Sequence, residues 1–181
     1  EEMLVCHCSP TLAGLKTGSL FSCPYSSQKM IIKEIREFNQ KLTQKGIRII
    51  PVRISDKRML VYVYRPEKLK EDFSDEKTQI ILKCKGYDCT NLSQCICRLI
   101  QKLQSDPDFP HEIGLFLGYP AEDVKGFIEN KAACSKCSGC WKVYGDEQAA
   151  RILFKKYKKC TEIYCRRWKS GVAVEQLTIT I

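Results

Sequence analysis

The sequence predicts an α/β protein of the α+β kind: one mixed β-sheet that includes a hairpin, packed with about five to six helices. Three observations predict it. Two β-branched and aromatic runs, residues 47–54 and 59–64, flank the polar Ser55-Asp56-Lys57-Arg58, which is a hairpin signature. Elsewhere, apolar residues recur at helical spacing in several separate stretches. Last, 181 residues with 44% hydrophobic and 28% charged content can bury one core, and no linker, repeat or low-complexity tract divides them. A single domain over residues 1–181 is therefore expected.

Taken in order, Ser9-Pro10 places a hydroxyl cap ahead of a proline at a first helical position, so a helix is predicted to start there after a short extended stretch. Residues 26–42 read as a helix, with Ile31, Ile35, Phe38 and Leu42 spaced 4, 3, 4, and Gly46 stops it. In the hairpin, Pro51 pushes the first strand toward a sheet edge or a bulge, because it has no amide to donate. Pro66 opens a helix carrying Leu69 and Phe73, and residues 75–85 form another, ended by Gly86. Asn91 and Gln94 resemble a capping box before the stripe Leu92, Cys95, Leu99 and Leu103. Residues 113–117 alternate like a strand. Pro120 starts a helix that turns Val124, Phe127 and Ile128 inward. Residues 141–144 are a short strand and Gly145 a turn. Asp146 caps the longest helix, which runs to about Lys169 with Leu153, Tyr157, Cys160, Tyr164 and Trp168 on its core side. Residues 177–181 alternate like a final strand.

Charge and composition exclude some functions. The content of aromatic and β-branched residues excludes a disordered chain. Stretches of about 18–20 residues free of charge are missing, so no membrane partner is expected. The opening Glu1-Glu2-Met3-Leu4-Val5 is acidic and lacks a secretory pattern, and a cytoplasmic protein with reduced thiols is expected from twelve cysteines in a chain able to build a core.

Three constellations could carry chemistry. The first is Cys134-x-x-Cys137-x-x-Cys140, whose two-residue spacing turns neighbouring thiolates toward one centre, as in sites for zinc or an iron–sulfur cluster. A fourth ligand is missing nearby. Cys160 and Cys165 diverge on their helix, while Cys6 and Cys8 would share one face of an extended strand and serve as remote ligands. The plain alternative is a cysteine-rich surface loop.

The second is the segment from His7 to Ser19. Amides at a helix start after Ser9, with Lys16, Thr17 and Ser19 close by, would hold a small anionic ligand. The spacing of a phosphate-binding P-loop is absent. His7 and Cys8 would point to opposite faces of a strand, so they do not pair as base and nucleophile. His111, followed by Glu112, is the better partner for this segment. The third is charge: 30 Lys+Arg against 21 Asp+Glu gives +9, and the helix over 151–169 holds Arg151, Lys155, Lys156, Lys158, Lys159, Arg166, Arg167 and Lys169 against the single acid Glu162. Such a helix can bind nucleic acid through phosphates. Its aromatics lie on the core side, however, and basic residues late in a helix also complement the helix dipole.

The runs His7-Cys8-Ser9-Pro10-Thr11-Leu12-Ala13-Gly14-Leu15-Lys16, His111-Glu112-Ile113-Gly114-Leu115-Phe116-Leu117-Gly118-Tyr119-Pro120 and Trp141-Lys142-Val143-Tyr144-Gly145-Asp146 resemble an uncharacterised family, a domain of unknown function from anaerobic, mostly gut-dwelling bacteria. The resemblance covers nearly the whole chain. It implies a free-standing cytosolic protein and carries no activity, cofactor or catalytic assignment. Each run joins a turn to an element end, where scaffolds present functional groups. The leading expectation is a pocket for a small anionic ligand or cofactor near His7, Ser9, Lys16 and His111, with Glu112, Lys142 and Tyr144 converging on it. His111 or His7 would hydrogen-bond the ligand or transfer a proton. The alternatives are a metal or cluster protein using the three-thiol loop and a nucleic-acid binder using the basic helix. The sequence discloses no reaction.

Overall fold

The computed structural model describes residues 1–105 and 108–181. In chain order the elements are α1 (Glu2–Leu12), β1 (Gly18–Pro24), α2 (Gln28–Leu42), a 3-10 turn (Thr43–Lys45), β2 (Arg48–Ile54), β3 (Arg58–Tyr64), α3 (Pro66–Ser74), α4 (Glu76–Cys84), α5 (Leu92–Ser105), α6 (Ile113–Phe116), α7 (Ala121–Asn130), β4 (Cys137–Ser138), β5 (Lys142–Val143), α8 (Glu147–Lys169) and α9 (Val174–Leu177). The architecture is α+β, and every described strand pair is antiparallel. The chain divides into two compact units: Glu1–Glu67 with Tyr157–Ile181, and Lys68–Lys156.

The first unit is built on a three-stranded sheet in the order β1-β3-β2. The expected hairpin is β2-β3, and Pro51 sits where reasoned: β2 is an edge strand whose register shifts between Pro51 and Arg53. Asn39 on α2 secures that edge, donating from Nδ2 to the carbonyl of Ile49 at 2.7 Å and accepting its amide at 2.9 Å. A side chain thus supplies the partner that an edge strand lacks. Val61 and Val63 of β3 enter a core with Leu4, Val5, Cys8 and Leu12 of α1, Ile35 and Leu42 of α2, and Val174 and Leu177 of α9. Gly46 ends the α2 segment with φ +75°, a conformation that costs glycine little.

Three expectations are corrected here. Residues 6–10 are not a strand followed by a helix start. They lie inside α1, because Leu4, Val5, Cys8 and Leu12 form one buried stripe at helical spacing. Ser9 spends its hydroxyl on the carbonyl of Val5 at 2.5 Å, and Pro10 stands in the last turn of the helix. Ser19, expected in a loop beside an anion, is in strand β1, which pairs along its length with β3. Residues 177–181 are not a strand. They close α9 and continue outside both sheets, with the Ile179 amide donating to the carbonyl of Leu12 at 3.1 Å.

Buried Arg65 closes this unit. Nε donates to the carbonyl of Thr11 at 2.7 Å, Nη2 to Leu12 at 2.7 Å and to Ile179 at 2.9 Å, and Nη1 to Lys45 at 2.9 Å. Thr11 and Leu12 are the end of α1, where carbonyls without a partner inside the helix carry partial negative charge, so a guanidinium fits there without a carboxylate.

The second unit holds α3 from Lys68 on, α4 to α7, the β4-β5 ribbon and the first half of α8. Its interior includes Leu69, Phe73, Leu82, Leu99, Leu103, Leu115 and Phe116. Phe116 takes Phe73 edge-on at 5.0 Å and Tyr87 at 5.5 Å. The predicted strand over 113–117 is helix α6. All five residues are buried, and a short apolar run without a polar face does not distinguish a strand from a buried helix. The caps expected at Asn91 and Asp146 are present: Asn91 accepts the amide of Gln94 at 3.2 Å and Asp146 that of Ala149 at 3.0 Å. No helix among the described residues is long and apolar enough to cross a membrane.

Candidate functional site

The expected site residues fall in different units. His7, Ser9, Lys16, Thr17 and Ser19 belong to the first, and His111, Glu112, Lys142, Tyr144 and the three-thiol loop to the second. In the first unit the anion-loop reading loses its donors, because the amides after Ser9 are inside a helix and do not stand at its start. The Thr11 and Ser19 hydroxyls are 2.9 Å apart and satisfy each other. His7 is exposed and stacks on Phe21, ring centroids 5.4 Å apart. Cys8 is fully buried, and burial pushes its thiol far above the ordinary cysteine value, against the pull of nearby Lys16. A thiol held so firmly protonated is a poor nucleophile.

The second unit contains a cavity of about 460 Å³. Its wall combines His111 and Phe109 from the segment before α6, Tyr119 from the turn after it, Phe127 from α7, and Trp141 and Lys142 from the ribbon. His111 meets Phe127 edge-on at 4.9 Å, and Tyr119 stacks on Trp141 at 4.6 Å. Lys142 donates from Nζ to the carbonyl of Ala132 at 2.6 Å, which orients one of its three N–H bonds and leaves the ammonium its charge.

Phe109, His111 and Phe127 also border a second hollow of about 770 Å³, where Lys85, Lys102 and Lys131 face Asp108 and Glu112. Lys102 pairs with Glu112 at 2.7 Å, donates to the carbonyl of Lys85 at 2.8 Å, and lies 4.5 Å from the Tyr87 ring. Tyr87 donates to the same carboxylate oxygen at 3.1 Å. Burial raises the Glu112 carboxyl, but the contacts with Lys102 and Tyr87 outweigh it and hold the group below the usual carboxylate value. Glu112 is therefore an ionised member of a buried pair.

Asp123, itself on the cavity wall, holds the ribbon in place. Its Oδ2 accepts the Trp141 indole N–H at 2.7 Å, and its Oδ1 accepts the amides of Tyr144 and Gly145, each at 2.7 Å. The Tyr144 ring lies on Gly126 of α7, and its buried hydroxyl has no partner among the described residues.

The sequence profile of a family described as a protein of unknown function, DUF3793, matches residues 4–178. The chain belongs to this DUF3793 family. No curated protein and no solved structure matches it. In this DUF3793 protein the three runs quoted above serve the architecture. The first supplies the α1 stripe and the carbonyls that hold Arg65. The second supplies Glu112 for Lys102, and the third hangs on Asp123.

The remaining DUF3793 candidates are placed as follows. Cys134 and Cys140 are exposed and Cys137 is half-buried on β4. Among the described residues, no group of three or more His, Cys, Asp or Glu side chains is placed to hold a metal ion. Cys6 and Cys8, expected on one strand face, are exposed and buried residues of a helix. On α8 all eight basic residues are exposed, while Tyr157 and Cys160 are buried and Tyr164 and Trp168 half-buried. Arg65, with four hydrogen bonds, and Asp123, with three, were not singled out by the sequence. An arginine beside a strand end and an aspartate in a helix's first turn carry no local signal of burial.

Proposed function

We propose that this DUF3793 protein binds a small organic acid in the second unit, its flat or apolar body against Tyr119, Phe127 and Trp141 and its anionic end toward His111 and Lys142. The observation that supports the reading is the position of His111, on the wall common to an aromatic hollow and a lysine-lined one. Ligand pockets are of about 300–1,000 Å³, mainly apolar, with a few polar groups that orient the ligand. A cavity of about 460 Å³ with one imidazole, one ammonium and a carboxylate, Asp123, already engaged by three N–H donors fits that description. The lysines outnumber the carboxylates around the adjoining hollow, so the field there favours an anion. The anion pocket expected from the sequence keeps His111 in this reading and gives up Ser9 and the His7 segment.

The probe is anilinonaphthalene sulfonate, which has a flat apolar body and one anionic group. Trp168→Phe leaves Trp141 as the only tryptophan, so its fluorescence reports the cavity wall. Saturable quenching with one probe per chain is expected. His111→Ala should weaken binding by about tenfold, the worth of one hydrogen bond to a charged group, and Ser138→Phe should fill the cavity from the ribbon side. Quenching that never saturates, or binding that ignores both substitutions, would overturn the proposal.

A further inference from the structure

We propose that Cys6 and Cys165 form a reversible intramolecular disulfide, made by exchange with a low-molecular-weight disulfide and undone by a thiol reductant. The two sulfurs are 3.7 Å apart although 159 positions separate them in the chain. Both belong to the first unit, Cys6 on α1 and Cys165 on the second half of α8. Cys6 is exposed and Cys165 half-buried, so a small reagent can reach the pair.

The contact is held from both sides. Leu4, Val5 and Cys8 anchor α1 in the core, and Tyr164 and Trp168 pack against that core beside Cys165. One turn on, the Trp168 indole donates to the Glu1 carboxylate at 3.5 Å. Forming the bond brings the sulfurs from 3.7 Å to about 2.05 Å. The contact itself makes the pair chemically distinct from exposed Cys84, Cys97, Cys134 and Cys140.

The order of events follows from accessibility. Cys6 is exposed and Cys165 half-buried, so Cys6 meets the reagent first and is the attacking thiol, while burial and then the contact with Cys6 hold the Cys165 thiol above the usual cysteine value. Its thiolate attacks one sulfur of the reagent, and the S–S bond of the reagent breaks to release one thiolate. Cys165 then loses its proton and attacks the Cys6 sulfur, expelling the second thiolate. Two protein thiols give up two electrons and two protons, and one small disulfide leaves as two thiols.

The experiment treats the whole chain with oxidised glutathione, quenches with acid and maps the peptides. The expected product lacks two hydrogens and joins the Cys6 peptide to the Cys165 peptide, while Cys97 carries only glutathione adducts. Closing so long a loop restricts the unfolded chain, so the oxidised form should melt about 5–10 °C higher, and dithiothreitol should reverse the shift. Cys165→Ser should trap Cys6 as its glutathione adduct. If Cys6 and Cys165 carry separate adducts, or stay unmodified once Cys97 has reacted fully, the proposal fails. The wild-type map decides this without the variant.

Discussion

The Arg65 guanidinium donates to the carbonyl of Leu12, the last residue of α1, at 2.7 Å, and three further carbonyls complete its shell. One side chain therefore connects the end of a helix, the turn after α2 and the tail at Ile179. Burial lowers the pKa of the guanidinium, the sign expected for a cation kept from water. Arg65→Lys keeps the charge but replaces a planar fork by one ammonium that cannot reach four acceptors. The variant should lose about 2–4 kcal/mol of stability, the cost of leaving buried polar groups unmet. Urea denaturation followed by circular dichroism measures it, and a loss below about 0.5 kcal/mol, the scale of an ordinary surface change, would show the shell to be dispensable.

Asp123 has the same role in the second unit with the opposite polarity, a carboxylate receiving three N–H groups. In Asp123→Asn one oxygen becomes an amide that also donates, so it opposes either the Trp141 indole or the Tyr144 and Gly145 amides. A donor facing a donor should cost about 1–3 kcal/mol. Because Trp141 forms part of the cavity wall, its emission should shift to the red in the folded variant. An unchanged spectrum with unchanged stability would mean that the ribbon does not depend on Asp123.

How much of this was legible in the sequence follows from the range of the forces involved. Helix α2, the β2-β3 hairpin, the Pro51 irregularity and the Asn91 and Asp146 caps are decided by residues within a turn or two of each other, and periodicity or side-chain chemistry reveals them. Ser9-Pro10 is a local signal too, yet it lost to the burial of Leu4, Val5, Cys8 and Leu12 on one helical face. The run over 113–117 was ambiguous because it is buried all round. In the candidate site, His111 and Lys142 were singled out and do line one cavity. The sequence places Glu112 beside His111 at the expected pocket, but Lys102, ten residues earlier, pairs with it, and no spacing rule connects the two. Arg65, Asp123 and the Cys6–Cys165 contact depend on chain segments brought together only by folding.

The Lys102–Glu112 pair predicts acid sensitivity. Glu112 lies below its ordinary value of 4.5 in the folded state. A depressed carboxylate contributes stability that is complete above its unfolded value and is lost as the pH falls through the folded one. Stability should thus be level near neutrality and decline below about pH 4.5. Glu175, held down first by its hydrogen bond with Lys41, adds a change of the same sign, reduced by the solvent around that exposed lysine. Glu112→Gln should flatten the acid limb while lowering stability at pH 7 by about 3 kcal/mol, since Lys102 is left buried without its counter-charge. Denaturation midpoints of both proteins from pH 3 to pH 7 test this. Parallel curves would place the acid sensitivity elsewhere.

Gly126 gives a prediction opposite to the usual rule. Alanine in place of glycine inside a helix normally stabilises by about 0.5–1 kcal/mol, because the unfolded chain loses freedom. At Gly126, within α7, an added Cβ would lie 2.4 Å from Cγ and 2.6 Å from Cβ of Tyr144. Those atoms are at the root of the side chain and cannot swing aside without moving the backbone of the segment that Asp123 holds. Overpacking of this kind costs about 1–3 kcal/mol and outweighs the helix gain, so Gly126→Ala should destabilise the protein. In the double variant with Tyr144→Ala the obstacle is gone, and Gly126→Ala should become neutral or stabilising. Equal effects of Gly126→Ala in the two backgrounds, measured as a double-mutant cycle, would show that the ring and the glycine are energetically independent.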